Sequence, residues 1–278
     1  MLLAAAGALV LTPDALLLRL SGMSGLQMVG WRGLCMGSLF VLAWLVTRKP
    51  GDMARLFTGA GLTIVLCQFF NAVSFASGIA AAPVSAVLMA VATGPVWSAL
   101  LARAFFGERT SAATWITIAA VLTGIAIAVL QPDALTATGS LIGVSFGLGV
   151  AVALALNFVI LRHNPDLPLL LAIGIGALLA GGFGWAMTGP ERMFDGQLWA
   201  ILITGLVILP TSFFAMSQAS RMTAAANVSL LLLLETVLGP VWVWLGVGEV
   251  PGPRLVFGGA IVVTALALYL LYLRRRTR

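Results

Sequence analysis

The stretch GPVWSALLARAFFGER, residues 94–109, returns in altered form as GPVWVWLGVGE at residues 239–249. Matching the two GPVW copies needs a shift of 145 residues, and matching the two Gly-Glu pairs needs 141. The smaller shift also pairs Ala119, Val121, Thr123 and Ala126 with Ala260, Val262, Thr264 and Ala267. The GPVW echo is therefore off register by about one helical turn. It marks a similar Pro-bearing helix in each half without setting the alignment. A shift of half the chain points to two halves of one design; the competing reading is chance matching in an apolar sequence of low diversity.

The solvent of this chain is lipid. Apolar residues make up 61% of it and charged residues 9%, whereas a soluble domain carries about a quarter charged residues. Punctuation by Gly, Pro and charge divides the sequence into ten apolar segments long enough to cross a bilayer as helices. They fall near 2–20, 24–47, 56–80, 83–106, 112–130, 138–161, 168–187, 197–220, 223–247 and 252–273. Nothing basic precedes MLLAAAGALVL, so a cleaved signal peptide is not expected.

Charge sets the expected orientation. Arg48, Lys49, Arg55, Arg103, Arg109, Arg162, Arg221 and the tail arginines 274, 275, 276 and 278 fall on one side of this ten-helix plan. Arg19, Arg192 and Arg254 fall on the other, and Arg32 lies inside a helix. The basic side reads as cytoplasmic, which puts both termini in the cytoplasm and the protein in the cell inner membrane. Five helices per half is an odd number, so residues 138–278 would run inverted relative to residues 1–131, an arrangement many secondary transporters use. The expected fold is an all-α integral membrane protein of ten transmembrane helices in two inverted five-helix repeats.

Residues 83–127, PVSAVLMAVATGPVWSALLARAFFGERTSAATWITIAAVLTGIAI, resemble the fourth and fifth helices of an EamA-type half of the drug/metabolite transporter superfamily. Residues 225–268, AANVSLLLLLETVLGPVWVWLGVGEVPGPRLVFGGAIVVTALAL, resemble the same region again. The spacing from Pro95 to Glu108 fits the family pattern. In the second copy Glu235 takes the family's Glu position, but Thr236 stands where the family has Pro. The family's second-helix Arg corresponds to Arg32 in GWRGL. The resemblance spans nearly the whole chain. It implies a secondary transporter of a small metabolite or drug-like compound, often an exporter driven by protons or exchange.

Three ionisable residues lie at depth: Asp14, Arg32 and Glu235. Each costs on the order of 2.5–3.5 kcal/mol in the bilayer centre, so each is a functional candidate. Glu235 falls about 18 Å into its helix, near the midplane, where it could bind a proton or a cationic group; the bland alternative is a buried acid bonded to a neighbouring helix. Thr12-Pro13-Asp14 reads as a helix start inside an apolar run, so the first helix is expected to be kinked or broken there. Asp14 and Arg32 sit at similar depths on consecutive helices and are expected to pair. Gln68, Asn71, Asn157 and Gln218, with Trp97 and Trp242, complete the candidate substrate set; interhelical packing is the competing reading for each. Phe69, Phe70, Phe75, Phe213 and Phe214 could wall a cavity by stacking, and Trp44, Trp115, Trp185 and Trp199 read as belt anchors. Gly33-x-x-x-Gly37 and Gly143-x-x-x-Gly147 read as close helix contacts.

Cys35 and Cys67 have no metal-type spacing, and His163 has no helical partner. No catalytic residue, metal or cofactor is expected, and no nucleic-acid partner. The expected partners are a small-molecule substrate, the lipid bilayer and a coupling proton, in a monomer or a homodimer. The alternative function is an integral-membrane enzyme acting on lipid-linked substrates, which would call for clustered His, Asp or Arg at the membrane surface; this chain has one His.

Overall fold

Backbone in lipid must satisfy its own hydrogen bonds, which helices do within one segment. The computed structural model describes residues 1–81, 84–129, 138–248 and 253–276, and its regular structure is entirely helical. Seven helical spans among these residues are long and apolar enough to cross a membrane: 2–21, 25–47, 59–78, 141–163, 169–188, 198–222 and 225–246. Shorter apolar helices cover 112–127 and 256–272. The result is a multi-pass membrane fold of about ten helical units.

Four of the units are continuous rods at the centre: α3 (Gly25–Thr47), α5 (Gly59–Ala81), α9 (Thr138–His163) and α10 (Leu169–Thr188). Three are interrupted, and one carries a π-helical turn. The first is α1 (Leu2–Leu11) with α2 (Asp14–Ser21), and the fourth is α6 (Val84–Val91) with α7 (Gly94–Phe106). The eighth is α11 (Leu198–Ile203), a π-helical turn over Thr204–Ile208, and α12 (Leu209–Met222). The ninth is α13 (Ala225–Leu232) with α14 (Leu234–Val247). Helices α8 (Ala112–Val129) and α15 (Pro253–Arg276) pair with each other at the periphery, and α4 (Asp52–Leu56) is a short connection on the basic side.

The break after Leu11 lies where Thr12-Pro13 predicts it. The helices expected over 83–106 and 223–247 are divided in the structure, and the one expected over 197–220 is continuous but carries a π-helical turn. Pro95 has no N–H for the Val91 carbonyl, and Pro210 none for that of Leu206. The chain answers with a turn at Ala92–Thr93 in one case and with the wider π-turn in the other. At Leu233 no proline intervenes; its N–H bonds back only three residues, to the Leu230 carbonyl at 3.2 Å. The Ala92 and Leu233 interruptions are separated by the same 141 residues that pair the two Gly-Glu motifs.

Glycine lets the central rods touch. A Cβ on Gly33 of α3 would lie 2.5 Å from the Gly181 nitrogen of α10, and one on Gly184 would lie 2.5 Å from that of Gly30. The backbones are in direct contact along this seam, the close approach expected of small residues in membranes. Gly147 lies as tightly against Val87 of α6. Expected anchors Trp44 and Trp185 have more specific work. Trp44 Nε1 donates to Asp52 Oδ2 at 2.9 Å, and Trp185 joins Trp31 and Phe194 in edge-on ring contacts.

Two apolar clusters close the basic end. One gathers Phe40, Leu56, Ile64, Ile160 and Leu169 from the ends of α3, α4, α5, α9 and α10. The other gathers Ala8, Ala102, Phe158, Met216 and Val228 from α1, α7, α9, α12 and α13. Helices α7 and α13 pack together there, but their continuations part: α6 lies on α9, and α14 lies on α2 and α15.

Candidate functional site

Where the continuous and the interrupted helices meet lies a cavity of about 100 Å³. Its polar lining comes from Asp14, Arg32, Gln68, Asn71 and Glu235, and Phe75, Phe158 and Phe213 supply rings. A few polar groups on an apolar wall is the usual composition of small-molecule pockets.

Both acids occupy the first turn of a half-helix, Asp14 in α2 and Glu235 in α14. Those half-helices pack against each other. A helix N-terminus carries partial positive charge, which favours a carboxylate in its first turn. Interrupting the two spans is thus what gives these two carboxyl groups a favourable place. Arg32, from α3, donates through Nη2 to Asp14 Oδ2 at 2.6 Å. Glu235 interacts electrostatically with both members of this pair and makes no hydrogen bond among the described residues. It is partly exposed, whereas Asp14 is 1% exposed.

The pair does not use up its own hydrogen-bonding capacity. Asp14 Oδ1, Arg32 Nε and Gln68 Oε1 have no hydrogen-bond partner among the described residues. Two are acceptors and one is a donor. A ligand in this cavity therefore gains most if it brings both donors and an acceptor, since buried polar atoms left unpaired cost about 1–3 kcal/mol each.

Of the residues singled out from sequence, Asp14, Arg32, Gln68, Asn71 and Glu235 line one cavity, with Phe75 and Phe213. Trp97, Asn157, Gln218 and Trp242 are not among the residues that line it. The two tryptophans secure helix interruptions instead. Trp97 Nε1 donates to Thr93 Oγ1 at 3.1 Å, and Trp242 Nε1 donates to Thr12 Oγ1 at 2.8 Å. Each threonine in turn donates to a carbonyl three residues back, Ala90 and Leu9. Asn157 is buried, its Oδ1 without a hydrogen-bond partner among the described residues. Phe70 and Phe214 are exposed on the outer surface. Phe158 was missed: in a 26-residue helix that is apolar nearly all round, composition does not show which face meets the cavity.

The comparisons with known proteins agree with this architecture. Residues 1–130 match the model of the EamA-like transporter family. This half of the chain is similar to that family. It is a family of transporters, not of enzymes. A riboflavin transporter of Rhizobium johnstonii is 29% identical over 248 residues, which cover 86% of this chain and 79% of that protein. A solved crystal structure matches with a TM-score of 0.79 over 98% of each chain at 16% identity, a likeness of fold alone.

Proposed function

We propose that the chain is a secondary active transporter that carries a small, planar, hydrogen-bonding organic compound of the riboflavin kind through the bilayer by alternating access. The observation that carries this reading is the mid-depth cavity, where unpaired donor and acceptor atoms of Asp14, Arg32 and Gln68 lie among phenylalanine rings. A ring system with amide-like edges suits both parts of that lining: rings stack on rings, and the edges satisfy the polar atoms. The curated relative supports the flavin class.

Residues 1–131 and 138–278 form the two halves in this proposal, inverted relative to each other, with both termini cytoplasmic. Support comes from the 141-residue spacing of the interruptions in α6–α7 and α13–α14, and from the basic residues gathered at one end. Glu235 is the coupling residue. It is protonated in one facing state and is ionised or paired with substrate in the other, so substrate and proton bias the same equilibrium. Net direction follows the gradients; the family resemblance favours export.

Purified protein in liposomes, loaded with labelled riboflavin and given an imposed pH gradient, tests this. The expected result is saturable flux that responds to the gradient, and loss of that response in Glu235→Gln with exchange at fixed pH retained. A Gln variant with the parent's rate and pH profile removes Glu235 from coupling. Absence of saturable flux for any flavin removes the substrate class.

A further inference from the structure

The single histidine of the chain stands at the closed, basic end, outside the cavity. The ring of His163, the last residue of α9, stacks on Phe106, the last of α7, with centroids 3.7 Å apart and planes 4° from parallel. Its Nε2 lies 3.5 Å from Glu108 Oε2. Gly107, at φ +67°, turns the chain back out of α7; its N–H bonds to the Arg103 carbonyl and that of Glu108 to the Ala102 carbonyl. This turn sets Glu108 against the end of α9. The contact therefore joins an element of residues 1–131 to one of residues 138–278.

Directly inward lies the apolar cluster of Ala8, Ala102, Phe158, Met216, Ala219 and Val228. Phe158 and Met216 line the cavity as well. A passage from cavity to basic face between α7 and α9 would part this cluster, and with it the ends of those two helices. We propose that Glu108 and His163 form the gate pair of the basic face, in contact while the cavity is closed to that side and apart when it opens. The proposal rests on the transporter reading, and it names positioning residues for the transport cycle that the cavity does not contain.

The chemistry makes the gate responsive to protons. His163 Nδ1 lies 2.9 Å from the Val159 carbonyl, which only accepts, so Nδ1 carries a hydrogen. In the neutral ring Nε2 then turns a lone pair toward the carboxylate. In the imidazolium it turns an N–H. Protonation closes the pair and deprotonation loosens it. The charged groups on the elements that meet here include Arg103 of α7, Arg109 before α8, Arg162 of α9, Asp166 before α10, Arg221 of α12 and the amino terminus ahead of α1. Arg221 donates to the Leu167 carbonyl, and Arg162 donates to that of Arg221. Among the described residues Glu108 is the ion-pair partner of His163.

The test places a reporter thiol in the plug, Ala219→Cys, in a Cys35→Ala, Cys67→Ala background. Labelling by a hydrophilic maleimide is followed in nanodiscs at pH 6 and pH 8, corrected by an exposed cysteine at each pH. The parent is expected to label two- to fivefold faster at pH 8, the scale of a partly exposed ion pair. Glu108→Gln and His163→Leu should label fast at both pH values. His163→Arg keeps a planar cation that can stack on Phe106 and pair with Glu108, so it should label slowly at both and slow the flux. Unchanged rate and pH dependence in Glu108→Gln would overturn the proposal. So would fast labelling of His163→Arg, which would make the contact merely structural and also covers variants that fold poorly. No substrate enters the labelling, so failure of every flavin in flux assays would remove the substrate class and leave this result standing.

Discussion

Arg32 and Asp14 are 18 residues apart in sequence and 2.6 Å apart in space, at the foot of a half-helix that exists because Thr12 and Pro13 interrupt the first span. Removing one partner leaves the other charge in a low-dielectric place, typically at a cost of about 3–5 kcal/mol. Asp14→Asn is therefore expected to lower the melting temperature strongly in detergent. Asp14→Asn with Arg32→Gln should recover part of that loss. Additive losses in the double-mutant cycle would show that the two residues are not coupled.

The α3–α10 seam separates two glycines that look alike in sequence. A Cβ on Gly181 would meet the Leu34 nitrogen at 2.6 Å, backbone that has no room to yield. A Cβ on Gly182 would meet nothing within 4 Å. Gly181→Ala should cost about 1–3 kcal/mol through overpacking. Gly182→Ala should be neutral or stabilise by about 0.5–1 kcal/mol, as Ala is the better helix former. Thermal unfolding of both variants checks the pair, and equal effects would contradict the seam.

Trp242 ties α14 to the interruption in the first span through Thr12. Trp242→Phe keeps the ring and removes the donor. Thr12 Oγ1 still donates to Leu9, so the expected loss is that of one hydrogen bond, about 1 kcal/mol. Trp97→Phe should cost the same, since Trp97 holds Thr93 in the same way. If Trp242→Phe instead abolished binding of a fluorescent flavin at full stability, the tryptophan would belong to the site after all.

Asp52, on the basic side and outside the membrane spans, gives a pH prediction. Burial pushes its carboxyl pKa up. The Lys49 N–H, the Trp44 indole N–H and the charges of Arg55 and Lys49 outweigh that and hold it below the usual carboxylate value. A depressed pKa stabilises the fold above the unfolded-state value, about 3.9, and that contribution is lost as pH falls through the folded value. Unfolding midpoints should therefore drop below about pH 4 more steeply in the parent than in Asp52→Asn. Trp44 fluorescence reports on the same contact.

Sequence alone determined that the chain is all-helical and apolar, with about ten helical units at approximately the observed spans. These follow from hydropathy, breaker residues and chain length, which act locally. It also determined that Thr12-Pro13 interrupts the first span, because a missing N–H is a property of one residue. Tertiary structure decided which polar groups share a cavity. Gln68 and Asn157 look equivalent as amides inside apolar helices, yet Gln68 lines the cavity and Asn157 does not. On a helix apolar on every side, rotation is set by packing against neighbours such as the glycine seam, and one-dimensional periodicity carries no trace of it. The same holds for His163 and Glu108, 55 residues apart, whose contact depends on how two helix ends meet. The interruption at Leu233 has no breaker residue to announce it. It places Glu235 in a first helical turn, where an acid that reads as mid-helix in the sequence gains the electrostatic support of a helix N-terminus.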